Sequence, residues 1–120
     1  MNRTYLDFLN DILDSATKAR AFAAGMDFAA FASDAKTVFA VVRALEIIGE
    51  AAKRIPDDIR AKAAALPWRS ISGMRDKLIH DYVSVDVEIV WRTVVDDLPE
   101  FEKRIAELIA SLDAPPITPT

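Results

Sequence analysis

The chain has 120 residues, a net charge of −4, one histidine and no cysteine. This excludes a disulfide framework and a thiolate metal site, and leaves too few nitrogen ligands for zinc. It also gives no overall basic field for nucleic acid, so any RNA-binding surface must be local or supplied by dimerisation. Hydrophobic residues make up 52% of the chain, and glycines number three. That composition supports one packed domain of all-α class, because alternating strand-like sequence and turn residues are scarce.

Met1-Asn2-Arg3-Thr4 leads straight into an amphipathic pattern rather than an apolar signal segment, and no apolar run reaches bilayer length. A soluble, cytoplasmic protein with no membrane partner is expected. A first helix reads from about Tyr5 to Ala24, with Thr4 and Asp7 at capping-box spacing. Gly25 is placed to stop it. Met26 to Ala32 reads as a connector whose Phe28 and Phe31 dock on the core. Ser33 is the expected cap of a second helix running to about Arg54, with Val38, Val41, Val42, Leu45, Ile48 and Ala52 on its apolar face. A polar stripe of Arg43, Glu46, Glu50 and Lys53 reads as a solvated ladder of ion pairs.

Pro56 opens a short helix from about Asp57 to Ala65, with Asp57 and Asp58 at its positive end. Pro67 starts a further helix, Trp68 to about His80, which Val83-Ser84-Val85 breaks. Asp86 caps the last helix. There Val87, Trp91, Val94, Leu98, Phe101, Ile105 and Leu108 form a four-three series that suits the core of an intramolecular bundle rather than a separate coiled coil. Because the series passes through Pro99, one long helix kinked near Asp96 is expected. The domain covers residues 1–112. The tail 113–120, with Pro115, Pro116 and Pro119, does not continue a helix and is expected to be disordered.

The segment Arg75-Asp76-Lys77-Leu78-Ile79-His80-Asp81-Tyr82 carries the most chemical information. Histidine takes and gives a proton near neutrality. Arginine keeps its charge and offers a planar fork of donors to phosphate oxygens. On an ideal helix Arg75 falls inside the apolar arc of Trp68, Ile71, Met74, Leu78, Ile79 and Tyr82, and about 140° from His80. A buried, unpaired arginine is costly. Arg75 is therefore paired, or that face lies on a cleft or a second subunit. The two side chains meet if the helix ends or distorts near His80, if the arginine wraps round, or if two subunits build the site. Read alone, His80 is more often a favourable charge at a helix C-terminus than a catalytic group, and Arg75 is equally at home in a structural ion pair.

The string Leu45-Glu46-Ile47-Ile48-Gly49-Glu50-Ala51-Ala52, then Pro67-Trp68, Arg75-x4-His80-x-Tyr82, Val85-Asp86 and Leu98-Pro99, resembles the HepT family, small helical toxins of the HEPN superfamily. The resemblance runs from the first helix to the end of the last. It implies a HEPN-like bundle of four to five helices and a metal-independent ribonuclease of a toxin–antitoxin system, working without a cofactor. Arg75 and His80 would be its catalytic pair. It further implies RNA rather than DNA as substrate, a homodimer whose two motifs share a cleft, and a minimal nucleotidyltransferase antitoxin that transfers AMP to Tyr82. Asp76 would orient Arg75 or the substrate, or be a solvent-facing charge. Another reading from the residues is a non-catalytic helical subunit that binds a nucleotidyltransferase or a nucleotide, with Arg75 holding a phosphate or a partner carboxylate. A third makes Arg75–Tyr82 simply a dimer interface.

Overall fold

The computed structural model describes residues 4–78 and 84–113. The expectations for His80, Tyr82, the helix break at Val83 and the tail beyond residue 113 lie outside the described residues. Helix α1 (Tyr5–Ala23) begins with a complete capping box. Thr4 Oγ1 accepts from the Asp7 amide at 3.4 Å, and Asp7 Oδ2 accepts from the Thr4 amide at 2.9 Å. Gly25 ends the element with φ +79°, a left-handed conformation that a side chain would strain.

The connector that follows contains a short helix, α2 (Phe28–Ala32), because Asp27 caps it by accepting from the Ala30 amide at 2.8 Å. Phe31 is fully buried, as expected, while Phe28 stays partly exposed. Ser33 does not cap the next helix. Its hydroxyl donates to the carbonyls of Ala29 and Ala30 and closes α2. Asp34 caps α3 (Ala35–Ala52) instead, accepting from the Thr37 amide at 3.1 Å and its hydroxyl at 2.9 Å. A carboxylate can accept both donors at once, which favours it over a hydroxyl here. The Thr37 amide, then its hydroxyl, hold the Asp34 carboxyl below its ordinary pKa.

Helix α4 (Asp57–Arg60) runs into a 3₁₀ turn (Ala61–Ala63). The helix expected from Trp68 onward is divided at Gly73 into α5 (Trp68–Ser72) and α6 (Met74–Leu78). Glycine is a poor helix residue, and the regular path pauses there. Asp86 caps α7 (Val87–Arg92) through the Ile89 amide at 3.1 Å. A π-helical turn (Thr93–Asp97) then joins α7 to α8 (Leu98–Asp113). The expected kink near Asp96 is this turn. Pro99 has no N–H to offer the Val95 carbonyl, and the Leu98 amide donates five residues back, to Thr93.

The long elements α1, α3 and α8 form the bundle, and the short helices fill its connections. Arg54, just beyond α3, lies 5.8 Å from the centroid of the Phe8 ring near the start of α1, so the two helices run antiparallel. Leu9, Ile12, Ala16 and Ala19 of α1 meet Val41, Leu45 and Ile48 of α3 and Leu98, Ile105 and Leu108 of α8 in one buried core. The small alanines let the helices approach closely. The four-three stripe of the last helix faces this core from Val94 onward. Trp91 packs its ring on Phe31, 5.2 Å between centroids. Among the described residues no helix is long and apolar enough to cross a membrane.

Candidate active site

The segment carrying Arg75 is held from behind by the end of α3. Arg60 donates from Nε to the Ile55 carbonyl at 3.0 Å and from a terminal nitrogen to the Ala52 carbonyl at 2.6 Å. The Ala52 carbonyl, at the end of α3, also accepts from the Ile55 amide at 3.2 Å, and Ile55 lies in the turn that follows. The same guanidinium lies 5.8 Å from the centroid of the Trp68 ring. The Trp68 indole N–H donates to the Ala63 carbonyl at 3.0 Å. One arginine thus ties the end of α3 to the first residue of α5, and the indole bond fixes the register of α5 against the preceding turn.

Trp68, Ile71, Met74 and Leu78 are all buried, so the apolar stripe of α5 and α6 turns to the core as the sequence predicts. Gly49 of α3 faces this stripe. A Cβ built on it would stand 3.2 Å from the Ile71 carbonyl oxygen and 3.7 Å from Met74 Cβ. The absence of a side chain lets α3 and the α5–α6 bend come together at this point.

Arg75 lies next to Met74, at the edge of the buried stripe. Its side chain is 65% exposed and its Nε is 3.9 Å from Oε2 of Glu46, which is 25% exposed. Arg75 is therefore paired, one of the arrangements its place in the stripe demands, and is not buried. The separation exceeds hydrogen-bonding range, and a partly exposed ion pair of this kind contributes about 0–1 kcal/mol. Glu46 is the residue that the reading of the polar stripe as a solvated ladder misses. Its ladder neighbour Glu50 does pair with Lys53, at 3.1 Å, but Glu46 turns to Arg75. The available signal is position: Glu46 stands one turn before Gly49, where α3 and the next segment touch.

The exposed surface of α5 and α6 carries Arg69, Arg75 and Lys77 against Asp76. Three of these four charges have the sign a phosphate backbone needs, but they do not share one face, since Lys77 turns to a groove that Arg75 does not line. A groove of 460 Å³ runs along the other side of the same helices. Met74 and Lys77 line it from α6, and Asp96, Asp97 and Phe101 from the last helix. Arg75 is not in its wall.

The sequence profile of the HepT-like ribonucleases matches residues 12–108. The chain belongs to the HepT-like ribonuclease family. It is 44% identical to a Thermococcus cleftensis protein named probable ribonuclease HepT, over 90% of this chain and 98% of that one. A candidate RNase of Caldanaerobacter subterraneus subsp. tengcongensis is 46% identical over 71% of this chain and 76% of its own length. A candidate RNase of Methanocaldococcus jannaschii is 42% identical over 88% and 91%. No solved structure matches the chain significantly. Of the expected site residues, Arg75 and Asp76 stand exposed on α6, and His80 and Tyr82 lie outside the described residues.

Proposed function

We propose that this protein is a metal-independent endoribonuclease, the toxin of a toxin–antitoxin pair, with Arg75 and His80 as its catalytic groups. The observation that carries the reading is the state of Arg75. It is 65% exposed on a short helix, with a loose carboxylate partner at 3.9 Å among the described residues, five residues before the only histidine of the chain. A guanidinium so placed is open to a phosphate and is not consumed by a buried ion pair.

The reaction is attack of an RNA 2′-hydroxyl on the adjacent phosphorus. The P–O5′ bond breaks, leaving a 2′,3′-cyclic phosphate and a free 5′-hydroxyl. His80 takes the 2′-hydroxyl proton or delivers one to the leaving oxygen, a role worth roughly 10²–10⁴-fold. Arg75 binds the non-bridging oxygens, where negative charge concentrates in the pentacovalent state. Asp76, exposed beside Arg75, orients the guanidinium or the substrate. Two copies of the motif facing one cleft would supply the convergence that an ideal helix denies to Arg75 and His80. The reading therefore includes a cytoplasmic homodimer.

Control falls to a nucleotidyltransferase antitoxin that transfers AMP from ATP to the Tyr82 hydroxyl, which loses its proton as pyrophosphate leaves. The added phosphodiester carries one negative charge on a residue two positions after His80 and would repel RNA.

The test is purified, unmodified protein incubated with total cellular RNA in EDTA, beside His80→Ala. Cleavage that persists in EDTA and disappears in the variant supports the reading. Intact RNA with the parent protein would favour the non-catalytic, partner-binding subunit. His80→Ala cutting at the parent rate would remove His80 from the mechanism.

A further inference from the structure

We infer that Glu46 is a positioning residue for Arg75, fixing the guanidinium for the cleavage step at a cost in RNA binding; this rests on the ribonuclease reading above. Three observations converge. Glu46 stands on α3, whose attachment to the α5–α6 bend is set by the close approach at Gly49. Its carboxylate is three-quarters buried, against an arginine that is mostly exposed. The closest contact uses Nε, the guanidinium nitrogen nearest the main chain, at 3.9 Å. That approach leaves the two terminal nitrogens for another ligand.

A free arginine side chain samples many rotamers and loses that freedom when it must hold one geometry. A carboxylate on α3, held against this segment by the close approach at Gly49, restricts Arg75 before substrate arrives. Catalytic groups held close to the productive geometry are worth far more than the same groups left loose. The distance argues against a stabilising role. At 3.9 Å no hydrogen bond forms, and an exposed pair of this kind adds little to folding.

The same carboxylate repels an incoming phosphate. Its removal should therefore separate two steps that a merely structural residue would move together. Binding should hold or improve, because a negative charge leaves the site. Turnover should fall, because Arg75 is no longer oriented.

The experiment compares the full-length parent with Glu46→Gln and Glu46→Asp. Steady-state cleavage of a short RNA gives kcat and KM. Binding is measured with the same oligonucleotide carrying a 2′-deoxy sugar at the cleaved position, which has no attacking hydroxyl. The expected result is a kcat lower by up to about fivefold in Glu46→Gln, with KM and the deoxy-oligonucleotide affinity unchanged or better. Glu46→Asp should recover part of the loss, and the melting temperature of both variants should stay close to the parent's. A Glu46→Gln variant with the parent's kcat overturns the inference. So does a loss of kcat accompanied by weaker binding and a lower melting temperature, which marks a packing residue. A parent protein that leaves RNA intact fails at the earlier step and removes the ribonuclease reading itself.

Discussion

Gly49 and Ile71 meet so closely that a methyl group on Gly49 would stand 3.2 Å from the Ile71 carbonyl oxygen. That oxygen belongs to the backbone of a short helix pinned by the buried side chains of Trp68 and Ile71, so it cannot swing aside as a flexible side-chain end would.

Gly49→Ala should therefore destabilise the protein. Alanine gains about 1 kcal/mol of helix propensity over glycine, but overpacking a buried contact typically costs about 1–3 kcal/mol. A net loss of about 1 kcal/mol, measured by urea unfolding, is the expected outcome. RNA cleavage should fall by more than the stability change explains, because α3 and the Arg75 segment are pushed apart. An unchanged or raised midpoint would mean that the bend relaxes freely.

Arg75→Lys should lose most cleavage activity, on the order of a hundredfold, while keeping the parent's helical circular dichroism. Lysine preserves the charge but not the planar fork that spans two phosphate oxygens. Because Arg75 is mostly exposed, the change should leave the melting temperature almost unmoved. Activity close to the parent's would reduce Arg75 to a point charge.

Tyr82→Phe keeps the ring and removes the oxygen that would accept AMP. The variant should retain ribonuclease activity and resist silencing by ATP and the nucleotidyltransferase. Intact-mass measurement after co-expression should find one adenylyl group on the parent and none on the variant. An adenylyl group on Tyr5 would move the modification site.

Asp34 gives a pH prediction that is independent of catalysis. The Thr37 amide and hydroxyl lower its pKa in the folded protein. A carboxyl with a lowered folded pKa contributes stability that is fully present above its unfolded value. That contribution is lost as pH falls through the folded value. The melting temperature of Asp34→Ala should therefore lie below the parent's at neutral pH. The gap should close once the solution is acidic enough to protonate Asp34 in the folded state. A gap that stays constant into strong acid would assign the effect to packing.

The sequence by itself determined the all-α class, the first helix from its capping box to Gly25, the core stripe of the last helix and the disturbance that Pro99 causes there. Each of these is written within one or two helical turns, where residue spacing maps directly onto geometry. The motif around Arg75 is likewise confined to a few consecutive residues, and its chemistry stands as the proposal above. Tertiary structure decided the rest. Only the competition between neighbouring polar groups shows that Asp34 and not Ser33 caps α3, and that Ser33 closes a helix inside the expected connector. Only the packing of α3 on a segment far along the chain shows that Glu46 leaves its ladder for Arg75. That packing depends on what glycine lacks at position 49. The stripe alone left open whether Arg75 was buried or cleft-facing. The fold sets it beside the stripe, exposed and 3.9 Å from Glu46, because the close approach at Gly49 brings α3 against this segment.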